Sequence, residues 1–112
     1  MAEYCPIAFD LIVTIVNRGF AEEVMTAAKS AGAEGGTILN GRGTGIHEQA
    51  KLFGIKIEPE KEIVLTLVDR VKTQQILDAI TRSMNLDQPG MGVAFVVSVE
   101  KTVGICHLLK DR

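Results

Sequence analysis

Residues 9 to 16 are Phe-Asp-Leu-Ile-Val-Thr-Ile-Val, an apolar run rich in β-branched side chains and too short for a helix, and they predict a buried strand. From Phe20 to Ala31 the period changes. Phe20, Val24, Ala27, Ala28 and Ala31 recur at helical spacing, with Glu22, Glu23 and Lys29 elsewhere and Gly32 as the stop. Asn17, between the two, is placed to cap this amphipathic helix. Thr37 to Asn40 predicts a short second strand running into Gly41-Arg42-Gly43-Thr44-Gly45. Residues 46–60 carry no clean period and end near Pro59, which predicts a long loop with room for a turn of helix around His47 to Phe53. A loop of that length in a small domain is usually functional. Glu62 to Val68 is the third strand, and Asp69 caps a second helix that reaches Met84, with Ile76, Leu77, Ile80 and Met84 as its apolar stripe. Leu86 to Gly92 is a turn broken by Pro89-Gly90 and Gly92, and Val93 to Val99 is the fourth strand.

A shift of 52 residues lays Asp10–Arg18 over Glu62–Arg70, with Thr14/Thr66, Val16/Val68 and Arg18/Arg70 identical. Val24, Met25 and Ala27 then fall on Ile76, Leu77 and Ala79. The chain is therefore two βαβ halves, which fold most simply into an α+β, ferredoxin-like βαββαβ domain: a four-stranded antiparallel sheet with both helices on one face. Strands such as Leu-Ile-Val-Thr-Ile-Val and Val-Ala-Phe-Val-Val are apolar on both sides, a pattern of sheets buried on both faces. Two helices cover only one face, so the other is expected to meet further copies of the chain in a closed homo-oligomer.

Composition narrows the function. The 112 residues suit a single domain over residues 1–112, and 46% hydrophobic with 23% charged residues is ordinary globular usage. A net charge of -2 without a Lys/Arg cluster argues against nucleic-acid binding. No apolar run approaches the roughly 18 residues of a membrane span, so the protein is not itself membrane-embedded. Met1-Ala2-Glu3-Tyr4 has no signal-peptide pattern, and the expected location is cytoplasmic. Cys5 and Cys106 form no CxxC pair and are expected as two reduced thiols, and with His47 and His107 far apart no metal site is expected.

Of the 11 glycines, eight mark two places: Gly32, Gly35, Gly36, Gly41, Gly43 and Gly45 in one cluster, and Gly90 and Gly92 in another. The Gly41–Gly45 stretch offers bare backbone amides, a hydroxyl and a guanidinium, parts that can cradle an anion. It is neither a P-loop nor a GxGxxG fingerprint, and both clusters are also compatible with plain turns.

The two clusters occupy matching places, and here the chain resembles the PII signalling family, in particular its divergent PII-like branch. Thr37-Ile38-Leu39-Asn40-Gly41-Arg42-Gly43-Thr44-Gly45 is similar to the family's second strand entering a Gly-x-Gly loop. Gly90-Met91-Gly92-Val93-Ala94-Phe95-Val96 is similar to the Gly-x-Gly-x-x-Phe-Val that opens the family's fourth strand. Val99-Glu100-Lys101-Thr102-Val103-Gly104-Ile105 is similar to the Val-Glu-x-x-Val-x-Ile at the end of that strand. The resemblance implies a homotrimer with a nucleotide in each inter-subunit cleft, a signalling rather than catalytic role, and no cofactor. Its implied effector-binding residues are Thr37, Gly41, Arg42, Gly43, Thr44, Gly45, Gly90, Met91, Gly92 and Val93. It also implies that the loop over residues 46–60, through His47, Lys51, Phe53 and Lys56, touches a target protein such as a membrane transporter or a metabolic enzyme.

Three family cations are absent: Val93 stands where the family has Lys, and Gly104 and Cys106 stand where it has Arg. Arg42, Lys101 and Lys110 are the available substitutes. The implied effector classes are ADP, AMP, ATP or a cyclic dinucleotide, with the lower charges favoured. Tyr4 is the only tyrosine, so the target loop lacks the residue that many members modify. Gly92→Asp is expected to weaken binding by crowding the cleft. The alternatives are a structural trimer whose glycine loops are only turns, and a small enzyme using Cys106-His107.

Overall fold

The computed structural model describes residues 5–44, 51–52, 55–56 and 59–105. In chain order the elements are β1 (Phe9–Asn17), α1 (Ala21–Ser30), β2 (Thr37–Arg42), β3 (Lys51–Leu52), β4 (Ile55–Lys56), β5 (Glu60–Asp69), a 3-10 turn (Arg70–Lys72), α2 (Thr73–Met84) and β6 (Val93–Val99). Four strands form one antiparallel sheet in the order β2-β5-β1-β6, with β1 and β5 at its centre. This is the ferredoxin-like arrangement.

Alternation along the central strands decides the core. Ile12, Thr14 and Val16 of β1 and Val64, Thr66 and Val68 of β5 point to one face and are buried against Val24 and Ala28 of α1 and Ile76, Ile80 and Met84 of α2. The intervening residues Leu11, Val13, Ile15, Ile63, Leu65 and Leu67 lie on the helix-free face and are half-buried. At the sheet edges that face is open: Leu39, Val93, Phe95 and Val97 are 44%, 50%, 45% and 44% exposed.

The sequence repeat appears as a local two-fold relation between β1 and β5. The Arg18 amide donates to the Glu60 carbonyl at 3.2 Å, and its counterpart Arg70 donates to the Ala8 carbonyl at 3.0 Å. Each arginine also holds a carboxylate: Arg18 pairs with Glu60, and Arg70 Nε donates to Asp10 Oδ1 at 3.0 Å. Thr73 Oγ1 donates to the other Asp10 oxygen at 2.8 Å, so this buried carboxylate is satisfied on both sides.

Several expectations are corrected. Asn17 does not cap α1. Glu62 does, with Oε1 accepting from the amides of Gly19 at 2.6 Å and Ala21 at 3.1 Å. The register places Glu62 opposite Val16, on the helix side and beneath the helix N-terminus, a long-range cap that local sequence cannot reveal. Asp69 caps the 3-10 turn through the Val71 amide at 3.2 Å, and α2 follows from Thr73. The second strand extends through Gly41 to Arg42, and the third begins at Glu60, because the ladder continues until the Gly43 amide meets the Pro59 carbonyl at 3.1 Å. The expected loop contains a short antiparallel pair, Lys51↔Lys56 and Leu52↔Ile55, in place of a helical turn at 51–52. Cys5 is disulfide-bonded rather than reduced, while Cys106 lies outside the described residues. The Cys5 amide donates to the Thr102 carbonyl at 3.0 Å, a return of the chain after β6 that sequence distance concealed.

Candidate functional site

At the end of the sheet where β2 finishes and β6 begins, a cavity of about 700 Å³ opens on the helix-free side. Ile15 of β1, Ile63 of β5 and Val93 of β6 line it as apolar neighbours in adjacent strands. Arg42, Gly43 and Thr44 at the end of β2 line one side, and the stretch from Leu86 to Gly90 with Gly92 lines the other. Lys61 adds a second cation and Asp87 a carboxylate.

Local geometry explains both walls. Helix α2 ends at Asn85 in the left-handed conformation, φ 52°, and the Leu86 amide turns back to the Thr81 carbonyl at 3.1 Å. Gln88 and Met91 then donate to the carbonyls of Asn85 and Gln88 at 3.0 and 3.4 Å, winding the α2–β6 connection into a compact turn. Gly92 closes it with φ +136°, against the β1 backbone. On the other wall Lys61 stands between two partners, opposite Gly41 across β2 and Asn17 across β1. Its ammonium donates to Asn17 Oδ1 at 2.6 Å, and Asn17 Nδ2 donates to the Gly90 carbonyl at 3.5 Å. A smaller cavity of about 400 Å³, lined by Arg18, Asn40, Gly41, Arg42, Glu60 and Lys61, adjoins the same strand ends.

The two glycine clusters thus meet within one protomer. Among the residues expected from sequence, Arg42, Gly43, Thr44, Gly90, Gly92 and Val93 line the main cavity, and Gly41 lines the smaller one. Thr37 sits at the far end of β2 opposite Leu65, and neither it nor Met91 lines either cavity. Gly45, His47 and Phe53 lie outside the described residues, while Lys51 and Lys56 pair in the β3–β4 ladder. Of the substitute cations, Arg42 is at the cavity, Lys101 is not among its lining residues, and Lys110 lies outside the described residues.

Sequence reasoning missed Lys61, together with Ile15, Ile63 and the Leu86–Gln88 stretch. The signal for Lys61 was present: it heads the alternation Lys61-Ile63-Leu65-Leu67, a lone cation at the end of an apolar stripe. Only strand register places it beside Asn17 and the second glycine cluster.

The fold and cavity together define a ferredoxin-like domain with space for a small molecule at one end of its sheet. A family model described as nitrogen regulatory protein P-II matches residues 9–107, and the chain belongs to that family of signal-transduction regulators. No curated protein matches the sequence. Among solved structures, the chain is similar to the GlnK–ATP complex of B. subtilis, with 19% identity and a TM-score of 0.68 over 88% of this chain and 89% of that one. It is also similar to B. subtilis GlnK, with 18% identity and a TM-score of 0.64 over 85% and 88%. At this identity the likeness establishes the shared fold. Among the described residues no helix is long and apolar enough to cross a membrane.

Proposed function

We propose that the protein is a PII-like sensor, not an enzyme, that binds an adenine-nucleotide-type effector at this cavity and relays its occupancy to a target protein. The observation that carries the reading is the convergence of both glycine clusters with Arg42 and Lys61 on one cavity of about 700 Å³, a volume typical of small-molecule sites. The apolar neighbours Ile15, Ile63 and Val93 suit the face of a planar base, and the two cations suit phosphate. The GlnK relative solved with ATP supports a nucleotide. With Asp87 also on the lining, two cations favour the lower-charge ligands ADP, AMP or a cyclic dinucleotide over ATP.

The open apolar face supports a trimer. Val93, Phe95, Val97 and Leu39 lie on the side that the helices leave bare, and burial against other copies would remove them from water. The cavity shares that face, so a neighbouring subunit would complete it as an inter-subunit cleft. The β3–β4 pair lies in the segment between β2 and β5 that would dock a target, a membrane transporter or metabolic enzyme, with the protein acting in the cytoplasm.

Calorimetry against ATP, ADP, AMP and a cyclic dinucleotide, with and without Mg²⁺, tests the reading. Saturable binding by at least one is expected, with Lys61→Ala and Arg42→Ala each weakening it roughly ten- to a hundredfold, the span of a lost charge-assisted hydrogen bond. A protein that stays trimeric, at three times the 12.1 kDa chain mass, and silent across the panel would be a scaffold instead. Turnover of the nucleotide, followed by nuclear magnetic resonance, would make it an enzyme.

A further inference from the structure

The internal repeat exposes a residue whose job differs between the two halves. Asp69 in the second half, the counterpart of Asn17, caps the turn that leads into its helix through the Val71 amide. In the first half Glu62 supplies the cap by reaching across from β5, and the Asn17 carboxamide faces the cavity end of the sheet instead. Polarity fixes its orientation. The Lys61 ammonium can only donate, so the amide oxygen faces it, and the amide nitrogen is left for the Gly90 carbonyl, which can only accept.

We infer that Asn17 is a positioning residue of the effector site, holding the Lys61 ammonium at the cavity and tying it to the Gly90 turn on the opposite wall. This rests on the reading of the cavity as a site for a phosphate-bearing effector. A lysine side chain has four rotatable bonds and a diffuse reach. The 2.6 Å bond to Asn17 confines it, with Gly41 as its cross-strand neighbour on β2. The weaker 3.5 Å contact to Gly90 gives the two walls one shared side chain. Asn17 is uncharged and adds no charge of its own beside Lys61. An aspartate at this position, as the second half has, would place a negative charge beside the cavity and repel phosphate.

The test compares full-length wild type, Asn17→Ala, Asn17→Asp and Lys61→Ala by calorimetry with ADP, AMP, pyrophosphate and adenosine, alongside thermal melts. It also follows the exchange of the Lys61 ammonium protons by nuclear magnetic resonance in the free protein. Expected results are about three- to tenfold weaker binding of the phosphate-bearing ligands by Asn17→Ala, and a larger loss by Asn17→Asp, whose added carboxylate repels phosphate. Adenosine binding stays unchanged, and the ammonium exchanges faster in Asn17→Ala. A purely structural role would lower the melting temperature and weaken adenosine and ADP by the same factor, which overturns the proposal. Wild-type affinity for ADP in both Asn17 variants also overturns it and leaves the effector reading intact. If wild-type protein binds none of the four ligands, the effector reading falls and the role of Asn17 falls with it.

Discussion

Gly92 is where the site's glycine content can be separated from the demands of the fold. A Cβ there would lie 2.7 Å from the Ile15 carbonyl oxygen, 3.1 Å from Val16 Cγ1 and 3.3 Å from Leu86 Cδ2, at φ +136°. The nearest atom is backbone of the central strand β1, so relief requires moving that strand or the turn. For Gly92→Ala the conformational strain costs about 1–3 kcal/mol, and the forced packing costs about 1–3 kcal/mol more. Gly90 provides the control: its φ is +80°, but nothing lies within 4 Å of a Cβ. Gly90→Ala therefore carries only a left-handed penalty of about 1–2 kcal/mol. At roughly 4–8 °C per kcal/mol for a domain near this size, Gly92→Ala should lower Tm by about 8–48 °C and Gly90→Ala by about 4–16 °C. Circular-dichroism melts at matched protein concentration read both, since any oligomer makes Tm concentration-dependent. Equal shifts for the two variants, or a Gly92→Ala Tm within about 3 °C of wild type, would refute the reasoning. The same contact changes how Gly92→Asp is interpreted. Its side chain would meet β1 of its own chain, so lost binding would report a damaged fold. Gly43 lines the cavity with nothing within 4 Å of a Cβ and without a positive φ, which makes substitutions there the cleaner probe of crowding.

Three further outcomes are expected. Glu62→Ala removes the acceptor for the first amide of α1, that of Ala21, and for the Gly19 amide that precedes the helix, and should destabilise by about 1–2 kcal/mol in urea unfolding; an unchanged midpoint would show that water replaces the cap at no cost. The hydroxyls of Thr14 and Thr66 are fully buried without a hydrogen-bond partner among the described residues, so Thr14→Val and Thr66→Val should each stabilise by about 1 kcal/mol; destabilisation of either would reveal a hidden partner. Cys5→Ser should lower the melting temperature under non-reducing conditions and match wild type in excess reductant, because Cys5 is disulfide-bonded; a difference that persists in reductant would assign the effect to packing.

The legible part of the molecule was the part that short-range periodicity encodes. The short apolar, β-branched runs Leu11–Val16 and Ile63–Val68, the stripe Ile76-Leu77-Ile80-Met84 and the repeat of 52 residues were enough for element type, order and the ferredoxin-like sheet. They also marked the two glycine clusters and, through the apolar residues on both strand faces, a side of the sheet that the helices do not cover.

What only the tertiary structure decided concerns residues that meet across strands. Asn17 has the composition of a helix cap, yet Glu62, far along the chain on β5, takes that position because antiparallel register sets it beneath α1. The same register brings Lys61 beside Asn17 and Gly41, and the turn after α2 brings Gly90 to them, which supplies the cavity with a cation that no motif contained. Propensity and period act over a turn of helix or a few residues of strand. A site assembled from β1, β2, β5 and the α2–β6 turn depends on pairing register and chain return, and those are settled only when the core closes.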